Sequence, residues 1–85
     1  MTDWRPVPAP GIVLRHDHAR DTDLLLLPER VVVLKGGAGA VVALCDGTRS
    51  VRDIVDELGE RFPGSSVSRD VPPFLGRLRE EGWLR

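Results

Sequence analysis

Leu24-Leu25-Leu26-Leu27-Pro28-Glu29-Arg30-Val31-Val32-Val33-Leu34 holds two apolar runs hinged on a two-residue break. Each run has strand length, the second is β-branched, and Pro28-Glu29 supplies a tight turn between them. The pattern predicts a hairpin with strands at Leu24–Leu27 and Arg30–Leu34. Upstream, Ile12-Val13-Leu14-Arg15-His16 reads as another strand, and the polar stretch from Asp17 to Asp23 as the loop that returns the chain. Three consecutive strands with short connections predict an antiparallel meander.

Helical spacing takes over downstream. Glycine lowers helix propensity by about 1 kcal/mol relative to alanine, which weakens Lys35-Gly36-Gly37-Ala38-Gly39 as a helix start. Ala38, Val41, Val42 and Cys45 nevertheless recur at helical intervals and Asp46-Gly47 supplies a stop, so a first helix is predicted over Gly37–Cys45. Ser50 caps a second helix, with Asp53 three residues on in a capping-box position. Its apolar stripe is Val51, Ile54, Val55, Leu58 and Phe62, and Pro63-Gly64 ends it. A third helix begins between Ser68 and Pro72, because proline suits a first turn and disfavours an interior. Its buried face carries Val71, Phe74, Leu75 and Leu78; Gly82 terminates it, and Trp83-Leu84 folds back on the core. Pro6, Pro8 and Pro10 make residues 1–10 an extended arm ahead of a single domain at 11–85. The order βββααα places the chain in the α+β class, winged-helix-like, with a three-stranded antiparallel sheet followed by a three-helix bundle.

Composition narrows the function. At 85 residues a chain buries only about 60% of its unfolded surface, and a deep catalytic cavity would compete with the core. Twelve basic residues against 13 acidic ones give a net charge of −1, spread evenly over both halves. Nucleic-acid affinity rests on clustered Lys and Arg, so this balance steers toward no polyanion. A single cysteine excludes an internal disulfide and favours a reducing compartment. The first residues lack the apolar run of a signal peptide, and no stretch approaches the roughly 20 apolar residues of a membrane span. The expectation is a cytoplasmic protein without cofactor or metal.

Each chemistry-bearing cluster has a plainer reading. His16 and His18 stand among Asp17, Asp21 and Asp23, all potential metal ligands, but a solvated loop needs such residues and a closed zinc site wants four ligands in a fixed geometry. Cys45 has no histidine near it in sequence and falls on an apolar helix face, so it reads as core and not as a nucleophile. The Lys35–Gly39 run lacks the G-x-x-x-x-G-K-[ST] order of a phosphate loop; close packing explains it better. Arg69, Arg77 and Arg79 lie on the helix that would enter a major groove, which makes a winged-helix DNA-binding or transcription-regulatory module the alternative function. Glu80 and Glu81 follow directly, and those arginines could instead catch carboxylates of an acidic peptide.

The third strand borders only its hairpin partner, leaving one row of backbone N–H and C=O groups unpaired. Arg30 and Lys35 flank this edge, yet neither charge nor proline lies within it. An incoming strand could pair there, unless a helix or a second copy of the chain covers the row.

Leu26-Leu27-Pro28-Glu29 before an apolar strand, Leu34, Leu44-Cys45-Asp46-Gly47-Thr48-Arg49-Ser50-Val51, Ile54, Leu58, Phe62-Pro63, Asp70-Val71, Phe74-Leu75 and Gly82-Trp83-Leu84 together resemble the family of pyrroloquinoline quinone biosynthesis protein D, PqqD. The likeness runs from about Gly11 onward. One departure is Lys35 followed by two glycines, where the family usually has an asparagine that can cap the first helix. The resemblance implies a non-catalytic chaperone for a ribosomally made precursor peptide. It implies that the precursor PqqA adds as a strand between the third strand and the third helix and is presented to the radical-SAM enzyme PqqE, which crosslinks a Glu and a Tyr in it. Carried over by position, Val31, Val32, Val33 and Leu34 supply the backbone ladder, and Phe74, Leu75, Arg77 and Leu78 the helix side of the groove. The chaperone would act as a monomer or homodimer.

Overall fold

The structure, a computed structural model, describes residues 3–85; Met1 and Thr2 of the expected arm lie outside them. Strands β1 (Val13–Asp17), β2 (Thr22–Leu26) and β3 (Val31–Leu34) form a sheet in the order β1-β2-β3. Helices α1 (Ala38–Ala43), α2 (Val51–Arg61) and α3 (Val67–Glu80) follow, which is the expected α+β order. Both strand pairings are antiparallel: Val13 faces Leu26 and Leu14 faces Leu25, while Leu25 faces Val32 and Leu26 faces Val31.

β1 and β2 reach further into the polar stretch than the sequence suggests. Asp17 pairs with Thr22 and His16 with Asp23, which leaves only residues 18–21 as the turn. Local turn chemistry outweighs weak strand propensity here: an Asp17 carboxylate oxygen accepts from the Ala19 N–H at 3.1 Å, and Asp21 takes a positive φ of 51°. Leu27 and Arg30, expected as strand ends, close the hairpin instead, with the Leu27 N–H donating to the Arg30 carbonyl at 2.9 Å.

The helix ends show where spacing was informative. α1 is shorter than expected: Gly37 is its N-cap without a side-chain bond and Leu44 its C-cap, so Cys45 lies just past it. α2 opens on the expected capping box, the Ser50 hydroxyl accepting from the Asp53 N–H and the Asp53 carboxylate from the Ser50 N–H, each at 3.1 Å. Ile54 and Leu58 are buried, with Val51 and Val55 packed beside them, but Phe62 sits at the C-cap and is 44% exposed, so it is no core residue. α3 starts at Val67, ahead of the expected window, and thereby takes Pro72 and Pro73 into its interior. The donors they lack would have met the carbonyls of Ser68 and Arg69, two exposed residues whose carbonyls solvent can satisfy.

Gly82, at φ 81°, ends α3 in a Schellman motif: Trp83 N–H donates to the Leu78 carbonyl and Gly82 N–H to that of Arg79, both at 3.0 Å. The reversal puts Leu84 into the core, as expected of the Trp83-Leu84 tail. Arm and tail then meet as a short antiparallel ribbon. Val7 and Arg85 exchange backbone bonds of 3.2 and 2.8 Å, Ala9 N–H donates to Trp83, and Pro6 is fully buried. The arm is extended, and it is built into the domain. The core it closes is formed by Leu25, Ile54, Leu58 and Leu75, joined by Leu34, Val42 and Val71.

Candidate functional site

Hydrogen bonds in an antiparallel pair alternate, so one bonded pair fixes the phase of the whole ladder. Leu27 bonds to Arg30, hence Leu25–Val32 and Asp23–Leu34 are the bonded pairs between β2 and β3. The N–H and C=O of Val31 and Val33 therefore point away from β2, along the outer edge of the sheet. Among the described residues no other backbone segment pairs with that edge. Of the four strand residues named from the sequence, Val31 and Val33 offer a ladder, and Val32 and Leu34 are engaged inward. The opposite edge, on β1, is blunted by Arg15, His16 and Asp17. β3 has no such charge.

Two residues past Leu34 the chain enters the wall of a groove of about 750 Å³ at Gly36. The groove lies between the start of α1, the α2–α3 junction and the first half of α3, with Ala38, Phe62, Val67, Val71 and Phe74 as its apolar lining. Edge and groove are thus contiguous through the backbone. Of the helix residues named from the sequence, Phe74 lines the groove, while Leu75 and Leu78 are buried in the core beneath it. Arg77 is exposed one turn beyond Phe74 and does not line it. Phe62 and Val67 are lining residues the sequence reading missed. Phe62 shares the periodicity of the α2 core stripe, but its C-cap backbone (φ −126°, ψ 71°) turns it out of the helix and toward the groove.

Asp23 and Asp70 are the charged lining residues. Asp23 is held from two sides: its carboxylate lies 2.8 Å from His16 Nδ1 and packs against Gly39, where any Cβ would overlap it. That contact accounts for one glycine of the Lys35–Gly39 run as close packing. Asp21 lies 3.3 Å from the other ring nitrogen of His16. The hydrogen bond to Asp23, assisted by both negative charges, raises the His16 pKa above its ordinary value. His16 spends both ring nitrogens on carboxylates, so the loop cluster forms a local ion-pair network.

The remaining sequence candidates have structural occupations. Cys45 is buried, donates weakly to the Val41 carbonyl, and is pushed up to about 11 by burial and by neighbouring Asp46, so it stays a thiol. Arg79 stacks over Trp4 at 4.6 Å and Arg69 pairs with Asp70 at 3.2 Å. Of the three arginines that carried the DNA-binding alternative, Arg79 is therefore engaged within the fold, while Arg69 meets its neighbour's carboxylate on the open surface.

An open, uncharged sheet edge running into a mostly apolar groove has the form of a recognition domain, and comparison with known proteins gives its family. The family model for coenzyme PQQ synthesis protein D, PqqD, matches residues 24–84, and the chain belongs to that family. A PqqA binding protein of Pseudomonas entomophila (strain L48) is 39% identical over 85 residues, covering 96% of this chain and 93% of the relative. A PqqA binding protein of Azotobacter vinelandii (strain DJ / ATCC BAA-1303) is 39% identical over 75 residues, covering 87% and 82%. The solution NMR structure of the PqqD truncation of Methylobacterium extorquens PqqCD, described as a functional and stand-alone recognition element for ribosomally synthesised, post-translationally modified peptides, superposes with a TM-score of 0.77. It shares 33% identity over 94% of this chain and 87% of that one. The crystal structure of PqqD from Xanthomonas campestris gives 0.61 at 36% identity, covering 100% and 97%.

Proposed function

We propose that the chain is a peptide carrier in pyrroloquinoline quinone biosynthesis, which binds the precursor PqqA as a strand added to β3 and presents it to the radical-SAM enzyme PqqE. Its role in this reading is carriage and not catalysis, in the reducing cytoplasm, in keeping with one buried free thiol. Family membership and the names of the relatives support the choice of guest. The observation that carries the mechanism is the outward row of Val31 and Val33, open beside an apolar groove.

Magnitudes assign the work. Two residues offer two N–H donors and two C=O acceptors, and four bonds at a net of about 1 kcal/mol each give roughly 4 kcal/mol. That alone corresponds to about millimolar affinity before ordering of the guest is charged against it. Most of the affinity must therefore come from guest side chains in the groove, against Phe74, Phe62, Val67 and Val71. Burying about 200 Å² of apolar surface there adds roughly 5 kcal/mol. Leu75 and Leu78 support that wall from behind, and Arg77, exposed one turn beyond Phe74, stands outside the lining.

The test separates the two phases of the ladder. Val33→Pro deletes an outward donor without touching the bonds to β2, and PqqA affinity measured by calorimetry should fall by about tenfold or more. Val32→Pro deletes an inward donor and should lower the melting temperature instead. Peptide affinity unchanged in both Val31→Pro and Val33→Pro overturns strand addition.

A further inference from the structure

A sheet covered on one side normally alternates, apolar toward the core and polar toward water. This one does not. On the side away from the helices, the cross-strand rows Val13–Leu26–Val31 and Arg15–Leu24–Val33 place five aliphatic side chains and one arginine in a single layer. None of the five belongs to the core or packs against it. Val13, Val31 and Val33 are 55%, 55% and 51% exposed. The unbroken runs in β2 and β3 are apolar on both faces, and the helices take up only one.

We propose that this open face is the docking surface for the enzyme that modifies the guest, and that the enzyme touches chain and guest together there. The inference rests on the strand-addition reading. Val31 and Val33 link the two sites, because their backbones line the free edge while their side chains stand on the open face. A strand added to that edge lies about 4.8 Å from β3, and alternate side chains of the guest join the same outer layer. The face is therefore wider when the chain is laden. Size argues against a second copy as the occupant: five partly exposed aliphatic side chains amount to roughly 300–400 Å², at most half of the ~800 Å² each partner gives to a stable interface. A body that covers the laden layer gains the missing area from the guest. The chemistry it must present is a shallow apolar surface with a carboxylate opposite Arg15. Linkage adds a second consequence, since an enzyme that prefers the laden chain must tighten the hold on the guest by the same factor.

Val13 lies two strands from the guest edge and Leu24 faces outward from the central strand, so both can be changed without touching the ladder. The experiment measures PqqA binding to the full chain alone, then binding of purified PqqE to the chain with and without saturating PqqA. PqqE should bind the laden chain about tenfold or more tightly than the empty one. Val13→Lys and Leu24→Thr should each keep PqqA affinity within about twofold and cut PqqE affinity by about tenfold. Val13→Thr replaces the lysine variant if thermal melting shows that the latter does not fold. Equal affinity of PqqE for laden and empty chain, or undiminished PqqE binding by the variants, overturns the proposal. So does a homodimer in sedimentation that Val13→Lys dissociates, which would assign the face to a second copy. Failure of the unsubstituted chain to bind PqqA in the first, enzyme-free titration defeats strand addition itself, and the two failures are thereby told apart.

Discussion

Asp23 is the residue on which local interactions converge: paired with Leu34 in the ladder, bonded to His16, seated on Gly39 and exposed to the groove. Gly39→Ala would drive a methyl group into that carboxylate. Overpacking of this kind costs about 1–3 kcal/mol, and displacement of the carboxylate should let the His16 pKa fall back toward its ordinary value. The sign of the pH effect follows from the raised folded pKa. Stability contributed by protonated His16 is complete below about pH 6.5 and is lost as pH rises through the higher folded value. NMR titration of the His16 ring, with denaturation midpoints on either side of that window, reads both effects. An unshifted His16 titration in Gly39→Ala would show that Gly39 does not hold the pair in place.

Among the elements, α2 was the most legible in the sequence. Its capping box depends on two residues three apart, Ser50 and Asp53, and both bonds form as spacing alone requires. Ser50→Ala should cost about 1 kcal/mol, roughly 4–8 °C in the melting temperature of a domain this size, as read by circular dichroism. The reversal at Gly82 was legible for the same reason, since residues 78 to 83 contain the whole motif. The site was less so. Which strand residues point to the open edge depends on the bonding phase across the Pro28-Glu29 turn, and residue types do not encode that phase. Phe62 kept the period of a core stripe while its C-cap backbone turned it out, and the start of α3 was misplaced because Pro72 and Pro73 are tolerated on the exposed face of that helix. The four-leucine run carried a further signal: a strand apolar on both sides has two faces to cover, and among the described residues only one of them is packed against the core.

At the scale of the molecule, the two termini complete the core jointly. Four backbone bonds bind residues 6–9 to Gly47 and to residues 83–85, and Pro6 is buried beneath them. Removal of residues 1–9 should therefore cost about 3–5 kcal/mol from those bonds at roughly 1 kcal/mol each, a large share of the 5–15 kcal/mol typical of a small domain. Guanidinium unfolding of the truncated chain measures it, and an unchanged midpoint would show the arm to be dispensable. Gly11-to-Leu84 sequence signals identified the domain, but this attachment escaped them, because prolines advertise extended backbone and say nothing of what it lies against.

The ribbon between arm and tail also has a mechanical direction. Val7 and Arg85 form its outermost rung, and both ends of the chain leave from that side. Tension applied through the ends consequently meets the Pro6–Gly47 bond and then loads the rungs in succession from Val7–Arg85 inward, where a shear arrangement would resist with all its bonds at once.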